Sequence, residues 1–205
     1  METLLFQESP IIVIVLLSIW FILMLLRSRW HLLIVIIFIL CVLFYRNFSV
    51  SPFRKVDDSI VMSPADGKVS HIEYTKDNVR ISIFLNLHNV HVQKSPIDGK
   101  VMSIDYYEGT FHPAGLIDKS KHNERSRLVL NTKYGPISIY QIAGVLARTI
   151  VTWSRPGQVL KSGQDFGMIK FGSRVDVEIP LQHLKRVFAT VGQRVDFDTQ
   201  IVQLF

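Results

Sequence analysis

Ser63-Pro64-Ala65-Asp66-Gly67-Lys68-Val69 recurs as Ser95-Pro96-Ile97-Asp98-Gly99-Lys100-Val101, and Gly157-Gln158-Val159 is echoed by Gly192-Gln193-Arg194-Val195. In each copy a proline or glycine turn feeds a valine-containing strand. Between and around these repeats, residues 79–85, 128–130 and 137–140 carry period-2 strand patterns, and Lys76-Asp77-Asn78 and Lys133-Tyr134-Gly135-Pro136 read as hairpin turns. The pattern predicts a mainly β domain over residues 59–205, built as a two-sheet sandwich.

Upstream the character changes. Residues 11–26 are apolar apart from Ser18, residues 31–45 form a second apolar run, and the basic link Arg27-Ser28-Arg29-Trp30 separates them. Each run falls short of the ~20 residues that cross a bilayer comfortably, so a tilted hairpin and one that dips into a single leaflet are both open. Glu2 and Glu8 replace the basic start of a secretory signal, and no small-residue cleavage site precedes the second run. The expectation is a retained, membrane-associated helical hairpin over 1–46, joined by a linker at 47–58 to the β domain. The protein is expected at the cell membrane with its β domain on the cytoplasmic side, although Arg27 and Arg29 in the link against Arg46, Arg54 and Lys55 after the second run barely discriminate the orientation.

The formal net charge is +6, and residues 51–205 carry 20 basic against 15 acidic side chains. A basic domain tethered to a bilayer suits anionic headgroups. Nucleic acid is not expected as a partner, because zinc spacing, a basic helix and an aromatic RNA-binding cluster are all missing from the sequence. The one cysteine, Cys41, sits inside the second apolar run, which excludes an internal disulfide and argues against thiolate chemistry.

Near the C-terminus Gly172-Ser173 interrupts the segment Met168-Ile169-Lys170-Phe171-Gly172-Ser173-Arg174-Val175-Asp176. Alone, Gly-Ser reads as a tight turn. It also permits another chemistry: a serine hydroxyl can attack the carbonyl of a preceding glycine, whose missing side chain leaves the approach open.

The segment 166–177 resembles the processing site of the short-form phosphatidylserine decarboxylases, a pyruvoyl enzyme family. Ser63-Pro64-Ala65-Asp66-Gly67-Lys68-Val69, Phe84-Leu85-Asn86-Leu87-His88-Asn89-Val90-His91-Val92-Gln93-Lys94-Ser95-Pro96 and Asn123-Glu124-Arg125 agree with that family in the same order. The turn-and-strand repeats are also similar to the barrel-sandwich folds of biotinyl and lipoyl carrier domains, so a barrel-sandwich-like β domain is expected. The attachment lysine of such carriers is missing, so their function does not follow.

The resemblance implies self-cleavage at Gly172-Ser173. Attack by Ser173 turns the peptide into an ester, β-elimination releases residues 1–172, and hydrolysis of the dehydroalanine with loss of ammonia leaves a pyruvoyl group at position 173. The mature protein would be a heterodimer of its own two chains, 1–172 and 173–205. The pyruvoyl cofactor would form a Schiff base with the amine of phosphatidylserine and accept the electrons released with carbon dioxide, giving phosphatidylethanolamine. His91 is implied as general base, with Asp66 as its orienting carboxylate. His88 is its rival; in a strand, positions 88 and 91 face opposite sides. Lys94 departs from the family pattern, and Asp98 reads as turn chemistry. His88, His91 and His112 lack metal-site spacing, so no metal is assigned. Asn123, Glu124 and Arg125 are implied at the mouth of the site, with Phe111 against the lipid near its headgroup and Arg125 suited to a phosphate or carboxylate. The alternatives are the same chemistry on archaetidylserine, and a non-catalytic, membrane-tethered β-sandwich that binds anionic lipid.

Overall fold

A computed structural model describes residues 2–48, 57–145, 149–170 and 173–205, so Gly172 of the expected cleavage site lies outside the described residues. The chain forms two compact units, Met1–Ser49 and Val50–Phe205.

In the first unit, strands β1 (Glu2–Thr3) and β2 (Arg46–Asn47) pair antiparallel and tie the two ends together. Between them run helices α1 (Leu5–Glu8), α2 (Pro10–Leu25) and α3 (His31–Phe44). Pro10 opens α2 at a position where its missing N–H costs nothing. The Ser9 and Tyr45 hydroxyls bond at 2.6 Å, beside the buried Leu5, Val13 and Phe44. Most other apolar side chains of the pair face outward, Ile11 and Leu26 being more than 70% exposed. At 16 residues α2 is roughly 24 Å long, against a hydrocarbon core of about 30 Å. Among the described residues no helix is long and apolar enough to cross a membrane. The helical pair is therefore present, but its reading as a membrane hairpin is not supported by helix length.

The second unit is β-rich, as the repeats imply. Its strands are β3 (Ile60–Met62), β4 (Gly67–Tyr74), β5 (Asn78–Leu85), β6 (Val92–Lys94), β7 (Gly99–Tyr107), β8 (Arg125–Thr132) and β9 (Gly135–Ile142). After these come β10 (Thr149–Thr152), β11 (Val159–Leu160), β12 (Asp165–Lys170), β13 (Ser173–Pro180), β14 (Leu184–Val187), β15 (Arg194–Val195) and β16 (Gln200–Leu204). Eight of them form one antiparallel sheet in the order β11-β7-β8-β9-β13-β5-β4-β15. Two three-stranded sheets, β10-β12-β6 and β14-β16-β3, complete the unit.

The sequence repeat is a repeat of hydrogen bonds. Met62 N–H donates to Pro96 O while Lys94 N–H donates to Pro64 O, both at 2.9 Å, so the two Ser-Pro-x-Asp-Gly segments cross each other reciprocally. Ser63 Oγ donates to Ala65 O and Ser95 Oγ to Ile97 O, at 2.7 and 2.8 Å. Gly192 and Gln193 bracket Val69 by backbone bonds just as Gly157 and Gln158 bracket Val101. Gly157 and Gly192 have φ of +87° and +90°, the left-handed region that penalises a Cβ, which explains the glycine in each echo. β3, β4, β5, β15 and β16 thus correspond to β6, β7, β8, β11 and β12 under an approximate two-fold.

One hydrophobic core fills the unit. Ile81, Ile83 and Leu85 of β5, Val175, Val177 and Ile179 of β13, and Leu128 and Leu130 of β8 meet Phe166 and Ile169 of β12 and Ile201 and Leu204 of β16. Burying each such side chain contributes roughly 1.5–3 kcal/mol. The intervening residues of the large sheet, Arg80, Arg127, Arg174 and Asp176 among them, take the opposite face, as strand alternation requires.

Candidate active site

Three strands of the large sheet and three of a small one share the same neighbours: β9-β13-β5 in the former and β10-β12-β6 in the latter. The chain changes sheets between β5 and β6, between β9 and β10, and between β12 and β13, so these crossings gather at one corner. β13 begins there at Ser173, paired with Leu85 at the end of β5, while Arg174 pairs with Ile142 at the end of β9. On the other sheet, His91 immediately precedes β6 and its carbonyl accepts the Ile169 N–H of β12 at 3.2 Å. Ser173, His91 and the turn that leads to His91 therefore share the corner.

Ser173 is fully buried, and among the described residues its hydroxyl has no hydrogen-bond partner. Leaving a buried hydroxyl unpaired costs about 1–3 kcal/mol, so such an atom calls for an explanation. It is one of two side-chain atoms in this condition among the described residues; the other is Ser154 Oγ.

Residues 86–91 form a turn rather than the continuation of a strand, so the face-alternation argument that separated His91 from His88 does not apply. Burial separates them instead. His88 is exposed at the tip, and His91 is wholly buried. The His91 Nδ1 lies 2.9 Å from the Asn89 carbonyl, an acceptor only, so in the neutral ring Nδ1 carries the proton and Nε2 carries the lone pair.

Asp66 does not bond the imidazole. Its Oδ1 accepts from Asn89 Nδ2 at 2.9 Å and its Oδ2 from Val90 N–H at 2.8 Å, so it fixes the turn whose carbonyl fixes His91. Its repeat partner Asp98 holds a different turn, the one between β11 and β12, through Ser162 N–H and the Lys161 ammonium, both at 2.7 Å. Burial raises the Asp98 pKa, and those two bonds outweigh it, leaving the carboxyl below its ordinary value. Lys94 is buried in β6, ion-paired with Asp165 and stacked over Phe197.

Asn123 is buried with its whole amide engaged. Nδ2 donates to His112 O (2.7 Å) and Ala143 O (2.8 Å), and Oδ1 accepts from His112 N–H (2.9 Å) and Thr110 Oγ1 (3.2 Å). That side chain clamps the 110–112 loop, which carries Phe111, to the chain just beyond β9, and has no donor left for a ligand. Glu124 is tied into the same place through its backbone, accepting from Ala143 N–H at 2.9 Å. Arg125 opens β8, donates to Lys121 O at 2.7 Å and stacks on Tyr107.

The sequence reading missed Asn89, and it missed a buried chain of hydrogen bonds behind His91. Gln93 Nε2 donates to His91 O (2.6 Å), Gln141 Nε2 to Gln93 Oε1 (2.8 Å), and Thr152 Oγ1 to Gln141 Oε1 (2.9 Å). Asn89 was legible as a turn residue between Asn86 and His91; the glutamines meet only in three dimensions.

Comparison with known proteins gives the class of the chain as a decarboxylase. The model of the family described as phosphatidylserine decarboxylase matches residues 40–203. A protein of Methanosarcina barkeri is 45% identical over 156 residues, covering 75% of this chain and 71% of its own. One of Methanosarcina mazei is 43% identical over 156 residues, covering 75% and 70%. Both are named as candidate archaetidylserine decarboxylase proenzymes. The chain belongs to the phosphatidylserine decarboxylase family, and its activity is that of a carboxy-lyase.

Proposed function

We propose that this chain is a proenzyme that cuts itself between Gly172 and Ser173 and then removes carbon dioxide from the seryl headgroup of a membrane phospholipid. The observation that carries the reading is the Ser173 hydroxyl, buried and without a hydrogen-bond partner among the described residues, at the start of β13 and in the same corner as a buried imidazole of fixed tautomer. A hydroxyl tied to the protein would have to break a bond before attacking Gly172; Ser173 Oγ makes none among the described residues. His91 Nε2 takes the Ser173 proton, and Asp66 and Asn89 hold the ring while it does so. Ser173 Oγ, buried and without a hydrogen bond among the described residues, suits a pyruvoyl precursor. A pyruvoyl group held at position 173 would supply a ketone able to condense with the substrate amine and accept the electrons left by carbon dioxide.

His91 then serves again, as proton donor to the decarboxylated carbon. Phe111, on the loop held by Asn123, meets the lipid near its headgroup, and Glu124 and Arg125 border the same entrance. The outward-facing apolar side chains of α2 and α3 lie in the outer part of a bilayer, which keeps the catalytic unit at the cytoplasmic surface of the cell membrane near its substrate. The mature protein is the heterodimer 1–172 with 173–205. An ether-linked archaetidylserine serves equally as substrate, since the headgroup is the same and both relatives carry that name.

Intact-mass analysis of the purified protein tests the proposal. The expected result is two chains, the smaller having 33 residues with a blocked N-terminus that reacts with a carbonyl reagent. A single chain of full mass with no decarboxylase activity would overturn it.

A further inference from the structure

A cleft of about 550 Å³ opens on the outer face of the eight-stranded sheet, opposite the core. Arg80, Arg125, Arg127 and Arg174 line it together with Tyr107 and Tyr140. Its charges are not equally satisfied. Arg174 is buried, forks onto Asp176 through Nε (2.8 Å) and Nη2 (3.2 Å), and spends Nη1 on Ala114 O and Ser120 Oγ. Arg80 forks onto Glu178, and Lys121 at the rim pairs with Asp118. Glu73, also in the lining, lies across the β4–β5 ladder from Arg80.

Arg125 and Arg127 have no carboxylate partner among the described residues. Arg127 directs Nε and Nη2 at a neutral acceptor, Ser138 Oγ, at 3.2 and 3.0 Å, and Arg125 spends only Nη1, on a backbone carbonyl. Both guanidinium groups are held by aromatic rings, Arg125 at 5.1 Å from the Tyr107 centroid and Arg127 at 5.8 Å from that of Tyr140. They stand two residues apart on β8, hence on the same face of the sheet. Two half-buried, pre-positioned guanidinium groups with uncommitted N–H donors match the tetrahedral oxygens of a phosphate, which accepts bidentate bonds from such forks.

We propose that this cleft is a phosphate-ester binding site, with Arg125 and Arg127 holding the anionic oxygens. It rests on the functional reading above only through Arg125; the pair with Arg127, the stacking and the cleft stand apart from Ser173. The phosphate comes either from a phospholipid headgroup or from a soluble phosphate ester.

The test uses the full chain carrying Ser173→Ala, so that binding is measured without chemistry. Glycerol 3-phosphate and short-chain dihexanoyl phosphatidylglycerol, the latter below its micelle concentration, are titrated by calorimetry. Saturable binding is expected, at least tenfold weaker in Arg127→Gln and unchanged in Lys185→Gln, a control at an exposed cation of β14. Preference for the diester lipid identifies a headgroup, and preference for the monoester a soluble ligand. Arg127→Lys keeps the charge without the fork and is expected to bind severalfold more weakly. No saturable binding in the parent chain, or equal binding in Arg127→Gln or Arg127→Lys, overturns the proposal. Because cleavage is read separately in the chain with Ser173 intact, a failed phosphate site and a failed processing mechanism give different results.

Discussion

Asp66 and His91 are connected through Asn89: the carboxylate holds the Asn89 amide and the Val90 N–H, and the Asn89 carbonyl accepts a hydrogen bond from His91 Nδ1. A carboxylate bonded directly to an imidazole acts by charge, stabilising the cation and raising its basicity. One that acts through a turn sets position. Asp66→Asn should therefore slow self-cleavage roughly 10-fold, from loosened geometry, with the midpoint of the pH–rate profile unmoved. Following cleavage of freshly synthesised chain across pH distinguishes the two; a midpoint displaced by about one unit or more would mean that the carboxylate acts on the ring by charge.

Ser173→Ala should leave one uncut chain without activity. It should not destabilise the fold, because the hydroxyl removed makes no hydrogen bond among the described residues. Relief of an unpaired buried group favours the variant by up to about 1 kcal/mol. Denaturant unfolding of Ser173→Ala and of Ser173→Thr, which adds a methyl group to a packed site, should rank alanine the more stable. Detection of the two-chain form in the alanine variant would remove Ser173 from its role.

His91→Ala should slow self-cleavage by about 10²–10⁴-fold, the usual cost of a lost general base. His88→Ala should leave cleavage within a few-fold of normal, because its ring is exposed at the tip of the turn. A gel time course of both variants measures this. Arrest in His88→Ala with normal cleavage in His91→Ala would reverse the assignment.

Deleting residues 1–46 should leave self-cleavage intact, since Ser173, His91, Asp66 and the Asn123 clamp all belong to the second unit. Turnover on vesicles should fall much more than turnover on a short-chain soluble substrate, because the helical pair raises local concentration and takes no part in the chemistry. If the truncated protein still sediments fully with vesicles in high salt, the helices are not the anchor.

Much of the β-rich unit was legible because its signals are local. The Ser-Pro-x-Asp-Gly repeat and the two Gly-Gln turns sit where their own backbone bonds form, and the 79–85 and 137–140 patterns lie within observed strands. What stayed hidden depends on contacts between distant residues. The sequence around His88 and His91 is apolar enough to pass for strand, and only the crossing from β5 to β6 makes it a turn. Asn123 reads as a polar site residue, yet its four bonds commit it to His112, Thr110 and Ala143. The arginine cleft draws Arg80 from β5, Arg125 and Arg127 from β8 and Arg174 from β13, which the sheet order rather than sequence spacing brings together.

Gly167→Ala tests whether the buried glutamine chain positions His91. A Cβ at residue 167 would lie 2.5 Å from Val151 O and 2.7 Å from Gln141 Nε2, both too close. Residue 167 pairs with Thr152 in the β10–β12 ladder, so the backbone cannot yield without opening that pairing, and the easier response is to push Gln141 aside. Gln141 then loses Gln93, and Gln93 loses its hold on His91 O. Overpacking and a broken buried bond together cost about 2–4 kcal/mol. Gly115→Ala, whose Cβ would meet the Phe84 ring at an ordinary 3.4 Å, should change stability by less than about 0.5 kcal/mol. Unfolding measurements give the stability order, and cleavage rates under conditions where both variants are folded give the positional effect. Slower cleavage in Gly167→Ala but not in Gly115→Ala is the expected pattern. Loss of stability with a normal cleavage rate would show that the glutamines support the fold alone and leave His91 to be held by Asn89 and Asp66.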